Sequence, residues 1–445
     1  MPSERRSPTR RQLLRISGTA LSGTALAGCA GLMDDEGETT ENTRTTASKK
    51  KDSGELTLQK VGQLQPSGNE PSSGGYSEVS VREDGKYAIL GSKWGISGSY
   101  LIDLDDPANP KLAHYLGNPN SAPNLDVKFD FRDGLYYRAI ERHHPGNFEI
   151  VDYGQENGSP ANPTVVGTAS DDKSHNVTPH PTKPVLYAVN YRLETSGFDV
   201  YDVRDPTNPR KVGEHGPQGA GHDVTVDPER EVLCCFYQSG EFIGIIIYDV
   251  ADPRKPSEIG RFDYREQKSY STAQVGEEAF GSAHHGHFDP RRELLVVGDE
   301  RPQGIPGGKH VFDVGWKDGS LSNPIPVGFT VSPNAQRMPE DDFAGRFDWT
   351  GHHFSIVPWG ERTFIVSADW HEGVVLYDIT DPTNPNPVDR YPTDDGMDSL
   401  TPNDKVAQFG EAPMAWTARY DANRELVVAS DTFTGLYTFE LATEE

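Results

Sequence analysis

The segment from Gly221 to Gly260 reads as four short strands joined by turns, and the same unit recurs along most of the chain. It opens with the alternating run Gly221-His222-Asp223-Val224-Thr225-Val226-Asp227-Pro228. Glu231 to Phe236 gives a second apolar run, Ile245-Ile246-Ile247-Tyr248-Asp249-Val250 a third, and Ser257-Glu258-Ile259-Gly260 begins a fourth. Between the last two stands Asp252-Pro253-Arg254-Lys255-Pro256. Proline donates nothing to a ladder, so two prolines at this spacing hold the segment in a turn. Four strands in a repeat of roughly 40–50 residues is the pattern of one β-propeller blade.

The third run recurs as Tyr100 to Asp103, Phe148 to Asp152, Phe198 to Asp202, His310 to Asp313 and Val375 to Asp378. The Asp-Pro-x-x-Pro turn recurs at Asp106 to Pro110, Asp205 to Pro209 and Asp381 to Pro385, with weaker forms at Ser159 to Pro163 and Ser322 to Pro326. First strands start near Tyr76, Asn124, Ser174, Gly221, Ala283, His352 and Ala415, which makes seven units. The last unit stops after its third strand, Gly435 to Glu440, whereas Glu55 to Gly62 looks like an orphan fourth strand. The sequence therefore predicts an all-β fold over residues 55–445, a seven-bladed β-propeller closed by an N-terminal strand. That strand would complete the last blade and remove its open edge. The third-strand signature resembles the LVIVD repeat family over most of the chain after Gly54. The resemblance implies a β-propeller, and because that family carries no single activity it speaks to fold rather than function.

Residues 1–29 read as an export signal. Arg10-Arg11 precede a short, mildly apolar run, the pattern of a twin-arginine signal, and Leu26-Ala27-Gly28-Cys29 resembles a lipobox. The expectation is export, lipidation of Cys29 and anchoring to the outer face of the cell membrane. Residues 30–54 have no apolar periodicity and read as a disordered tether. A net charge of −26 excludes nucleic acid as a partner, since phosphate contact needs positive charge, and fits a solvated surface in a salt-loving host. The remaining cysteines, Cys234 and Cys235, are neighbours on one strand and read chiefly as core residues, with a bridge or metal role as the alternative.

Candidate chemistry lies in the first strands. His175, His222, His284 and His352 each stand six residues before a turn proline, so four consecutive blades carry histidine at one structural position. Blades one, two and seven put Ser77, Leu125 and Trp416 there. First strands are innermost in a propeller, so these imidazoles should converge at one mouth of the channel. His285, His353, His371, Asp223, Asp299, Asp369 and Asp431 are expected near them, as a second shell or pocket wall. Imidazole grouped with carboxylate suits a transition metal such as copper, zinc, iron or nickel. The competing expectation is a set of separate His–Asp pairs, one per blade, that only stabilise the fold. The long loops before blades five, six and seven, which contain Met338, Phe343, Phe347 and Trp349, would roof the mouth. Two functions follow: a His-lined metal site, which leaves catalysis open, or a non-enzymatic cell-surface scaffold that binds protein or polysaccharide.

Overall fold

The computed structural model describes residues 54–66, 74–94, 97–118, 123–140, 148–169, 174–190, 193–337, 348–400, 406, 409–410 and 412–444. All of them fall within the compact unit that begins at Ala47. The export signal, Cys29 and the tether up to residue 53 lie outside the described residues, as do Met338, Phe343 and Phe347.

The described strands form seven four-stranded units, because the eight-stranded sheet and the seven-stranded sheet each hold two of them. The long strand Arg210–Asp227 serves twice: its first half is the outer strand of blade three and its second half the inner strand of blade four. Each first strand packs against the first strands of both neighbouring blades, around the whole ring. The innermost circle of a propeller is thereby closed.

Closure at the rim uses the expected strand. Glu55–Leu64 pairs antiparallel with Gly435–Glu444, from Glu55 opposite Glu444 to Leu64 opposite Leu436. The last blade thus takes its fourth strand from the N-terminal side, and Leu56 and Leu58 are buried by it. Apolar clusters fill the gaps between successive blades. One joins Leu426, Val428 and Leu436 of blade seven to Tyr76, Leu90 and Ile102 of blade one. Alternation along the second strand of blade four divides Cys234 from Cys235. Cys234 joins the core shared with blade five, and Cys235 the core shared with blade three. Both thiols are free and buried, so they are packing residues.

The aspartate that ends each third strand has a local reason. Asp103, Asp202, Asp249 and Asp378 accept a hydrogen bond from the backbone N–H two residues on, which starts the turn the prolines complete. Asp152 and Asp313 precede the weaker turns and do more. Each accepts from five successive backbone N–H groups. Burial works against the charged form of Asp152, but these donors hold its carboxyl at about 2.

Candidate metal centre

Adjacent residues on a regular strand point to opposite faces, so a row of one residue per blade is all that alternation would place in the channel. Six of the seven first strands break alternation at one place. Their register shifts fall between Tyr76 and Val79, Ser174 and Val177, Gly221 and Asp223, Ala283 and His285, Gly351 and Phe354, and Ala415 and Thr417. The aligned position is therefore the bulged residue: His175, His222, His284, His352, Ser77 and Trp416. A bulge adds a residue without a ladder partner and re-aims its side chain. It brings both the aligned residue and its successor into the channel, and the successors are Glu78, Asn176, Asp223, His285, His353 and Thr417.

The imidazoles meet at the end where the first strands begin. The rings of His222 and His284 lie 3.8 Å apart between centroids, those of His284 and His352 4.6 Å, and those of His352 and His353 4.3 Å. His175 reaches the group through His222, with Nε2 to Nε2 at 2.9 Å. Ligand-capable atoms of His222, His284 and His353 all fall within 4.8 Å of one another, and so do those of His284, His352 and Glu300. Three of the four predicted positions, His222, His284 and His352, fall in these groups with His353 and Glu300, while His175 lies outside them and meets His222.

Hydrogen bonding fixes which nitrogen each ring presents. His222 Nδ1 donates to the His284 carbonyl at 3.1 Å. His352 Nδ1 donates to the Trp416 carbonyl at 2.5 Å, and His353 Nδ1 to Glu78 Oε2 at 2.6 Å. A neutral ring that donates through Nδ1 carries its lone pair on Nε2. His284 is 1 % exposed and neither of its ring nitrogens has a hydrogen-bond partner among the described residues; the same holds for His353 Nε2. Burial, reinforced for His222 and His284 by the neighbouring rings, holds His222, His284 and His353 well below the usual imidazole range, so they are neutral. Neutral, buried imidazoles with outer partners on Nδ1 are the form in which histidine binds metal.

A layer of charge supports this cluster from within the channel. Glu78 is fully buried and bonds His353, Thr417, Lys128 and Arg419. Burial alone would raise its pKa, but Arg419, Lys128 and His353 outweigh it and hold the carboxyl well below its usual range. Asp126, bonded to Lys128, is instead pushed up to about 6 by burial and by Glu78 and Asp223. Glu78→Gln should cost about 3–5 kcal/mol, because Lys128 and Arg419 would be left buried with too few carboxylates. A chemical-denaturation midpoint equal to wild type would contradict this.

The remaining candidates divide. His285 and Asp223 form a buried pair at 2.6 Å, and His285 Nε2 lies 3.2 Å from the Phe354 carbonyl. Both nitrogens of His285 are thereby spent, so this pair belongs to the supporting layer. His371 stands aside, 3.2 Å from Asp348 and 3.3 Å from the Phe409 carbonyl. Asp299, Asp369 and Asp431 do not join the cluster, which corrects the expectation for all three. They end the second strands opposite Ala283, Gly351 and Ala415, but their side chains turn into the blades. Asp369 binds Lys309, Ser367 and Tyr377. Asp431 accepts from the backbone of Met414, Phe433 and Thr434, and Asp299 from Gly281, with His310 at 3.6 Å. A buried carboxylate takes the donors within reach, side chains for Asp369 and chiefly strand-end backbone for Asp431. Separate His–Asp pairs therefore do not account for His222, His284 or His352. Of the roofing loops, the last places Val406 and Phe409 against Trp370 and Trp416, beside His352.

No protein-family model and no curated relative matches the sequence. Among solved structures, the chain is similar to Kuenenia stuttgartiensis hydrazine synthase, with a TM-score of 0.54 and 11 % identity over 86 % of this chain and 100 % of that one. It is also similar to the Cps50 (Swd1) β-propeller domain of Myceliophteria thermophila, with a TM-score of 0.54 and 12 % identity over 87 % of this chain and 100 % of that domain. The fold is a β-propeller. Identities this low say nothing of activity, and the LVIVD resemblance stays one of strand and turn motifs.

Proposed function

We propose that this protein is an exported, lipid-anchored propeller that holds a transition-metal ion among His175, His222, His284, His352 and His353 at the mouth of its channel. One observation carries the reading. His222, His352 and His353 each donate through Nδ1 to a protein acceptor, and buried ligand atoms of His222, His284 and His353 lie within 4.8 Å of one another, an arrangement that a bound cation would stabilise. Nitrogen donors with carboxylates behind them suit zinc, copper, iron or nickel. Equilibrium dialysis of the metal-stripped protein against zinc tests it: uptake of an ion that a histidine-to-alanine change in the cluster abolishes supports the site, and no uptake removes it.

The scaffold reading has its own support in the His285–Asp223 and His353–Glu78 pairs, which bind different blades together. On that reading the cluster only stiffens the ring, and the protein presents its outer surface to a protein or polysaccharide. The anchor rests on the sequence alone. Cys29→Ser is expected to leave the protein exported but released from the membrane, which cell fractionation checks; a variant still in the membrane pellet contradicts lipid anchoring.

A further inference from the structure

Glu300 follows the second strand of blade five, and its backbone N–H is bonded to the Ser282 carbonyl at 3.2 Å. Its side chain is 13 % exposed, more than those of the two histidines beside it. One carboxylate oxygen, Oε2, lies 3.3 Å from His284 Nε2, and the other, Oε1, 3.3 Å from His352 Nε2. Gln238 Nε2 is 3.5 Å from Oε2.

The arrangement of donor atoms makes these two contacts informative. His352 donates through Nδ1 to the Trp416 carbonyl, which leaves Nε2 as the atom that faces Glu300 Oε1. Among the described residues His284 has no hydrogen-bond partner on either nitrogen, although it is buried and beside a carboxylate. The ligand atoms of His284, His352 and Glu300 all lie within 4.8 Å of one another, a spacing that a single cation can bridge. We infer that Glu300 is itself a metal ligand, and that with His284 and His352 it forms a set of two imidazoles and one carboxylate. This deepens the metal reading above and rests on it.

The consequence is chemical. Three protein donors leave coordination positions open, as in catalytic rather than closed structural sites. Two histidines with one carboxylate is the donor set of non-haem iron(II) sites that keep positions for an outside ligand. His222 and His353 stand beside this set, with His222 Nε2 2.9 Å from His175 Nε2 and His353 Nδ1 bonded to Glu78. The metal should therefore accept a small exogenous ligand, an anion or an oxygen donor, from the exposed side of Glu300.

Cobalt(II) titration of the full chain, followed by visible absorption, separates the possibilities. Wild type should bind cobalt, and azide should change the spectrum of the bound ion. Glu300→Gln should weaken binding by more than about 100-fold, beyond the 10–100-fold expected when only an outer partner is lost, while its near-ultraviolet circular dichroism without metal matches wild type. Glu300→Asp should recover part of the affinity. If Glu300→Gln binds cobalt with unchanged affinity and spectrum, or azide leaves the wild-type spectrum unaltered, the carboxylate is not a ligand of an open site and a centre made of imidazoles alone stands. If wild type binds neither cobalt nor zinc, the metal reading falls as well.

Discussion

Removing residues 55–64 is expected to cost the propeller its stability and its solubility together. The segment supplies the fourth strand of the last blade, and its loss exposes the ladder edge along Gly435–Glu444. It also uncovers the inter-blade core that Leu56 and Leu58 complete with Phe439, Leu441 and Trp359. Burying each leucine is worth about 1.5–3 kcal/mol, so the two together represent about 3–6 kcal/mol of a net stability of about 5–15 kcal/mol. Further bonds are lost, including Leu58 N–H to Asp389 at 2.6 Å. An unpaired edge of ten residues also templates association. Size-exclusion chromatography and thermal melting of the truncated protein should show aggregation and an earlier transition. A monodisperse protein with the wild-type midpoint would mean that the ring does not depend on this closure.

The second large effect is on metal. His284→Ala should abolish high-affinity binding at the mouth, since His284 belongs to two of the three groups of clustered donors, with His222 and His353 in one and Glu300 and His352 in the other, the third being Asp223, His285 and His353. Loss of more than about 100-fold is expected, beyond the effect of any outer partner. The fold should survive, because the channel position is a bulge residue outside the regular ladder and the inter-blade cores do not include it. His285→Ala should show the reverse pattern. Asp223 would lose its buried partner, at a cost of about 1–3 kcal/mol, while the donor set of His284, His352 and Glu300 stays whole. Equal losses of metal in both variants would contradict the division between ligands and support.

Strand and turn motifs made the propeller legible because each blade repeats the same local chemistry. Aspartate starts the turn after the third strand, and prolines fix the turn. The histidine offset was legible for the same reason. Its consequence was not. Simple alternation would send His353 and Glu78 away from the channel, and only the bulge at the aligned position turns both residues inward. Glu78 had a faint signal, since it follows Ser77 as Asp126 follows Leu125 and Asp223 follows His222. Glu300 differs: it stands next to Asp299, and sequence alone does not say which of two adjacent acids faces the site. The structure separates them, with Asp299 turned toward His310 and Glu300 toward His284 and His352. Asp369 was placed near the site for its position at a strand end, but Lys309, sixty residues earlier, claims it. Partnerships of that range leave no local pattern.

The central claim is that a metal ion sits among these imidazoles. An anomalous difference map from zinc-soaked crystals, recorded on both sides of the zinc edge, tests it most directly. The account predicts a peak about 2.0–2.1 Å from the Nε2 atoms that hold the ion, with His284 among the rings that contact it. A map with zinc only at surface side chains, or none, and with His284 and His352 hydrogen-bonded to Glu300 instead, would contradict it.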